Sequence, residues 1–332
     1  MKYHQIIAAL GCAMFTITLA EAKTLTVDNK VGSVAMYNSV QSACDAAEPG
    51  DTILIAGSPT NYGHAIITKK LHLVGPGYWL AENGIPGITK DSATLSIIYA
   101  QIELSSSNES SATGLAVSLN VTPGAGNIHF DKCHIFNPIF SSRVTIKRSF
   151  LNYATLVVSG SSMSNCLIGQ GGNTILHNGT TASHCVIQRA PFFSSVAGSS
   201  ISNSIFITES SLTASVFAAN VKGSVTHSLS VGGLGIGGNP TFLPSGNGNI
   251  PTVAFTVQAF VQGQTNDKAY VLAAGSPAIG SGLNGVDMGI FGGVQPYVIS
   301  GVPSLPRITR FLVPSTATST SGLRIEMDAQ SF

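Results

Sequence analysis

Six short stretches in the middle of this chain are variants of one phrase: HFDKCHIF, VTIKRSFL, SMSNCLIG, TASHCVIQ, SISNSIFI and SVTHSLSV, beginning at His129, Val144, Ser162, Thr181, Ser200 and Ser224. Each sets an apolar or small residue, then two polar residues, then Cys or Ser; in the first five an apolar residue follows two places later. The anchors Cys133, Ser149, Cys166, Cys185, Ser204 and Ser228 are 16, 17, 19, 19 and 24 residues apart. A constant phrase at irregular intervals means constant strands joined by loops of variable length. That is a solenoid, in which each repeat buries its apolar face only by stacking on its neighbours.

Alternation at period two assigns the inward side chains: Phe130, Cys133, Ile135; Ile146, Ser149, Leu151; Met163, Cys166, Ile168; Ala182, Cys185, Ile187; Ile201, Ser204, Phe206. The step of three between the first two members of each set requires a bend between two short strands. The bend pairs are polar throughout, from Asp131-Lys132 and Lys147-Arg148 to Ser202-Asn203 and Thr226-His227. The residue after each anchor falls on the outward face in this reading. Ser230 stands where an apolar residue is expected, so the sixth coil is less regular.

The preceding segment reads the same way. TILIAG, AIIT, LHLVG, LSIIY, IELSS and GLAVSL are short strands separated by Gly, Pro, Asn and Ser. Before them Val40, Ala43, Cys44 and Ala47 recur at helical spacing. A short amphipathic helix there would cover the open first coil, whose strand edges are otherwise unpaired. The tail PRITRFLVPSTATSTSGLRIEMDAQ alternates like a β-hairpin and is expected beside the last coils.

Only 9% of the 332 residues are charged, while the hydrophobic fraction is 44%, so disorder is excluded. A net charge of +1 gives no general attraction for nucleic acid. Lys2, the apolar run Ile6 to Ala20 and Ala20-Glu21-Ala22 form a signal peptide with cleavage expected after Ala22. No stretch is long enough for a transmembrane segment. Residues 23–300 are then the solenoid and 301–332 the tail. A secreted or cell-surface monomer is expected. Four cysteines remain after Cys12, and thiols stacked in one column are expected reduced; if a disulfide exists, Cys166 with Cys185 is the pair in adjacent coils.

This strand–bend–strand coil resembles the right-handed parallel β-helix, the pectate-lyase-like fold, over roughly residues 24–300. AEPGDTILIAGSPTNYG with KKLHLVGPGYWLAENG resembles the opening coils of exported β-helix proteins common in Bacteroidota. GSPAIGSGLNGVDMGIFGGVQPY, Gly275 to Tyr297, resembles their closing segment, where the last strands turn off the stack. The resemblance implies an all-β exported protein with a capping helix and a β tail, often of unassigned activity.

Enzymes of that fold that act on acidic polysaccharides need clustered carboxylates for Ca²⁺ or a carboxylate pair for hydrolysis. Between Ser110 and Asn266 the chain has only Asp131 and Glu209, several coils apart. The adjacent aspartates and Gly-His-Gly of pectate lyases and polygalacturonases are missing. His184 and His227 share a column, but Asn203 intervenes, which puts them about 9.6 Å apart, too far for one metal. No catalytic residue, cofactor or metal is therefore expected. Arrays of Thr-x-Thr, as an ice-binding face would need, are not present in successive coils.

Two features suit a polysaccharide partner. Lys132, Arg143, Lys147 and Arg148 form a basic corner, matched to carboxylates or sulfates. Tyr78-Trp79, holding the only Trp, could stack on a sugar ring. The expected function is an exported non-enzymatic β-helix protein that binds carbohydrate. The alternatives are a polysaccharide lyase or glycoside hydrolase drawing on Asp51, His64, Lys69, Lys70 and Glu82, and a structural spacer or adhesin module.

Overall fold

The computed structural model describes residues 21–332 apart from 86–99, 105–108, 122–125, 142, 153–154, 157–159, 170–174, 177–178, 189–191, 194–198, 209–223, 233–242, 244–245, 254–258, 314–324 and 331–332. The apolar leader at residues 1–20, LSIIY, Glu209 and His177 lie outside the described residues. No described helix is long and apolar enough to cross a membrane.

The architecture is an all-β parallel β-solenoid with one α-helix. Ten parallel strands stack in one sheet: Thr24–Val27, Thr52–Ile55, His72–Val74, Ser111–Thr113, Ile128–Asp131, Val144–Lys147, Ser162–Ser164, Thr181–Ser183, Ser200–Ser202 and Ser224–Thr226. A second sheet of thirteen strands carries the other half of each coil, among them His134–Phe140, Phe150–Leu151, Leu167–Ile168, Val186–Gln188, Ile205–Thr208, Leu229–Gly232 and Ile250–Val253. All six phrases pair in register. Phe130, Ile146, Met163, Ala182, Ile201 and Val225 stand opposite one another along the first sheet. They are buried with Ile135, Leu151, Ile168, Ile187 and Phe206 in one continuous core.

Between the sheets the second bend residue is left-handed in every coil: Lys132, Arg148, Asn165, His184, Asn203 and His227 have φ between 47° and 56°. Non-glycine residues enter this region at a cost of roughly 1–2 kcal/mol each. The stack holds them there, since each bend amide donates to the carbonyl of the next coil, as in Asn165 N to Ser183 O at 3.0 Å and His184 N to Ser202 O at 3.0 Å. The anchors just after the bend form an internal ladder. Ser149 Oγ accepts from Cys133 N at 3.0 Å and donates to Lys147 O at 2.6 Å. Ser204 Oγ accepts from Cys185 N at 3.1 Å and donates to Ser202 O at 2.8 Å. Small polar anchors are needed here because the bend breaks the strand ladder and leaves amides to satisfy. Cys44, Cys133, Cys166 and Cys185 are free and buried, and burial pushes the Cys44 and Cys133 thiols up to about 12. Cys166 and Cys185 are thus reduced neighbours in the core.

The helix, Val40–Ala46, covers the first coil with Val40, Ala43 and Cys44. Ser39 caps it by accepting from Ser42 N, and Lys69 Nζ closes its other end on the carbonyls of Asp45 and Ala47, both at 2.8 Å. Gln41 pairs with both backbone groups of Ile66, accepting at 2.7 Å and donating at 3.3 Å, so its amide stands in for a missing neighbour at the strand edge.

The closing segment departs from expectation. It does not turn off the stack; it runs back along the outside of the second sheet toward the first coils. Gly289 N donates to Asn203 O at 2.8 Å, Asn165 Nδ2 donates to Ile290 O and Gly292 O at 2.9 and 2.8 Å, and Tyr297 reaches Tyr78 through their hydroxyls at 2.5 Å. Pro303, Leu305 and Pro306 then lie beside Thr26, Leu54 and Gly75, in a groove of about 630 Å³ at the first coils. The tail therefore begins at the opposite end from the one expected. Its strands Arg307–Leu312 and Glu326–Gln330 form the antiparallel pair.

This strap explains a second difference. Phe150, Leu167, Val186, Ile205 and Leu229, the residues after each anchor, are buried rather than outward-exposed, because Met288, Ile290, Tyr297, Ala278 and Tyr270 pack on them. The strap lies flat because glycine lets it. A Cβ on Gly289 would stand 2.8 Å from Ile205 Cδ1, and one on Gly301 would stand 2.3 Å from the Tyr78 ring and 2.4 Å from Lys132 O.

Candidate functional site

The strap rearranges the basic corner. Lys132 is 5% exposed, its ammonium donating to Ser304 Oγ at 3.0 Å, and burial with the nearby Arg148 lowers its pKa. Arg148 forks onto Asp131, Nε to Oδ1 at 2.7 Å with Nη2 on Oδ2. Arg143 and Lys147 remain exposed. The four cations thus divide: two are engaged in holding bend and strap, and two face solvent.

Tyr78 and Trp79 do not form an open stacking pair. Tyr78 is 1% exposed under the strap, and burial raises its hydroxyl well above the usual range. Trp79, in the left-handed region at φ 49°, is half-buried and lies 5.4 Å from Tyr78 edge-on, 4.7 Å from His134 and 5.0 Å from Phe150. They form the aromatic seat of the strap's far end.

The residues of the enzymatic alternative also have separate tasks. Asp51 accepts from Lys23 N and Glu48 N, both at 2.8 Å, which lowers its pKa and closes the turn before the second strand. Lys69 caps the helix, Lys70 pairs with Glu109 at 3.1 Å on the surface, and His64 and Glu82 are exposed. No group of three metal-ligating side chains occurs among the described residues.

One buried carboxylate escaped sequence reasoning. Asp267 is fully buried, accepting from Asn83 Nδ2 at 2.6 Å and Ser300 N at 2.7 Å; desolvation raises its pKa. Lys268 Nζ donates to Asn83 O at 2.6 Å, and Ser300 Oγ to Trp79 O at 3.2 Å. The cluster ties the strap to the Trp79–Asn83 turn and is sealed from solvent, a latch rather than a catalytic centre. Asn83 is more than 180 residues from Asp267 and Ser300 in sequence, so no local pattern announces the cluster.

His134 lies in the same seat. Burial depresses its pKa to about 4; its ring meets Tyr78, Trp79, Phe136 and Phe150, and Nε2 shares a hydrogen bond with Asn152 Oδ1 at 3.0 Å. A histidine whose folded pKa lies below its unfolded value near 6.5 contributes stability above that value and loses it as pH falls toward the folded pKa. About 3 kcal/mol is therefore lost between roughly pH 6.5 and 4. Asp267, with a raised pKa, works the other way, gaining stability as pH falls and losing it as pH rises. Comparison with His134→Phe isolates the histidine: acid destabilisation of the native protein should be about 3 kcal/mol greater than that of the variant. Trp79 fluorescence reports the same titration, because the ring of the sole Trp lies 4.7 Å from this imidazole. An identical acid response in both proteins would exclude His134.

Beyond the first coils, where Pro303 and Leu305 lie beside Thr26 and Leu54, the outer face of the first sheet stands apart from the strap's apolar layer. Along that face the outward positions form two columns, Thr24, Thr52, His72, Ser111, His129, Thr145, Ser162, Thr181, Ser200 and, two residues on, Thr26, Leu54, Val74, Thr113, Asp131, Lys147, Ser164, Ser183, Ser202, Thr226. No residue of these strands belongs to the apolar layer under the strap. No protein-family model and no curated protein matches the chain.

Proposed function

We propose that this chain is an exported, non-enzymatic β-solenoid that stands at the cell surface or outside the cell and binds carbohydrate. The observation that carries this reading is the asymmetry of its two broad faces. The second sheet is roofed by the strap, whereas from Ser162 to Thr226 the first sheet carries hydroxyl residues on the outer face of parallel strands that lie outside the strap's apolar layer. A rigid plane with a regular repeat suits a polymer with a repeat of its own, since many weak contacts then act together. The leader, with Lys2, the apolar run and Ala20-Glu21-Ala22, supports export. The non-enzymatic reading is supported by what its carboxylates do: Asp131 holds Arg148, Asp51 closes a turn, and Asp267 latches the strap.

The full chain produced in a bacterial host should appear outside the cytoplasm with Lys23 as its first residue. The purified protein should retain polysaccharides in a binding panel without releasing reducing ends or unsaturated products. Cleavage of any glycan would overturn the non-enzymatic reading. Retention in the cytoplasm with an intact leader would overturn export. Silence across the panel would leave a structural spacer.

A further inference from the structure

Four consecutive coils of the first sheet carry an unbroken run of hydroxyl residues on their outer face. Their described outward positions are all hydroxyl residues: Ser162 and Ser164, Thr181 and Ser183, Ser200 and Ser202, and Thr226. The Thr-x-Thr array is missing from the sequence only because serine takes most of these positions. The pairing is regular through all four strands, with no shift of register. The hydroxyls consequently form a lattice, about 4.8 Å apart from coil to coil and about 6.8 Å apart along each strand. Ser162, Ser164, Thr181, Ser183, Ser200, Ser202 and Thr226 make no side-chain hydrogen bond with another described residue. The contrast with the anchor serines one strand-face beneath is sharp, since Ser149, Ser204 and Ser228 are all hydrogen-bonded internally.

The chemistry of an occupant follows from what the field contains and omits. These positions carry no charge; Asp131 and Lys147 belong to the preceding coils, with Lys147 paired in register with Ser164 at the edge of the field. A polyanion would find no cation there, and nucleic acid none for its phosphates. A membrane or a protein partner would require apolar or aromatic anchors, and the field has none. What remains is an uncharged ligand that both donates and accepts hydrogen bonds along a repeat. Each exchange of a water for a ligand hydroxyl contributes about 1 kcal/mol or less. Only a ligand that meets many of these hydroxyls at once therefore gains appreciable affinity.

Resting on the carbohydrate-binding reading, we infer that the hydroxyl lattice on the Ser162–Thr226 coils is its binding surface, and that its ligand is an extended, uncharged polysaccharide lying along the solenoid axis. The basic corner is then not the glycan site, which agrees with Lys132 and Arg148 being engaged within the fold.

Two probes separate the possibilities: microcrystalline cellulose as a neutral extended polymer and polygalacturonate as an anionic one. The native protein should bind cellulose with an affinity insensitive to salt between 50 mM and 500 mM. A variant combining Thr181→Ala, Ser183→Ala, Ser200→Ala and Ser202→Ala should bind at least tenfold more weakly at an unchanged melting temperature. These side chains point out of the core, and Thr181→Val alone, isosteric and still folded, should weaken binding about threefold if the larger variant proves unstable. Binding of polygalacturonate that is lost with salt and with Lys147→Ala or Arg143→Ala would overturn the lattice while leaving the carbohydrate reading intact. Unchanged cellulose binding by the hydroxyl variants would overturn it in the same way. Binding to neither probe nor to any panel glycan would overturn both.

Discussion

Replacing Ile187 with Asp is expected to unfold the middle of the solenoid. Ile187 is completely buried, between Ile168 and Phe206 in the coils on either side. The change removes a packed side chain, worth about 2–5 kcal/mol by itself, and leaves a carboxyl with no charged or hydrogen-bonding partner among those neighbours. The combined loss, on the order of 5 kcal/mol or more, is comparable with the whole stability of a typical domain. Because each coil is supported only by its neighbours, the damage should spread outward from this coil and fade toward the helix-capped end. Hydrogen exchange should show Leu151 to Phe206 losing protection first. Thr181→Ala, on the outward face of the same coil, should move stability by less than about 0.5 kcal/mol. Comparable effects from the two changes would refute the inward and outward assignments.

Met288→Asp should produce a different failure. Met288 is equally buried, but in the layer between the strap and the outer face of the second sheet. Its own amide bonds to Ala278 O at 2.9 Å, within the strap, and the adjacent Gly289 N bonds to Asn203 O at 2.8 Å, across to the solenoid. A carboxylate at this point costs about 3–5 kcal/mol unless the strap lifts away and hydrates it. Lifting is the cheaper response, because the coils keep their own ladder and inner core. The expected result is retained β-sheet signal, loss of amide protection over residues 259–303, and strong binding of a hydrophobic dye to the uncovered Phe150, Leu167, Val186, Ile205 and Leu229. Trp79 should become solvent-exposed at the same time, since its seat is closed by Tyr78 and Tyr297. Simultaneous collapse of strap and coils would show that the two layers form a single cooperative unit.

The two substitutions mark the boundary between what was legible in the sequence and what was not. Inward residues such as Ile146, Met163 and Ile187 could be assigned from the sequence because their pattern is local. Period-two alternation around a fixed bend places a side chain on one face whatever lies elsewhere in the chain. The helix over the first coil was readable for the same reason, from Val40, Ala43 and Cys44 at a period of 3.6. The Cys and Ser anchors pointed to a column of small side chains, although their role in satisfying bend amides required the coordinates.

Alternation names the second face of a strand without saying what covers it. Phe150, Leu167, Val186, Ile205 and Leu229 were already apolar in sequence, a sign that their face is roofed, but the roof comes from residues up to 147 positions away. The same non-local return decided the fate of the candidate site. Asp131, next to Lys132 in sequence, is the carboxylate near the corner and engages Arg148 from the neighbouring coil, whereas nothing nearby in sequence indicates that Ser304 engages Lys132. Tyr78 and Trp79 sit in a glycine-rich turn that reads as exposed until Tyr297 and Ser300 close over it. By itself the sequence determined the coil, its bend and the inner face, because those follow from backbone geometry and nearest neighbours. Only the tertiary structure decided which outer face is roofed, because a chain that folds back across its own stack makes contacts that no local spacing encodes.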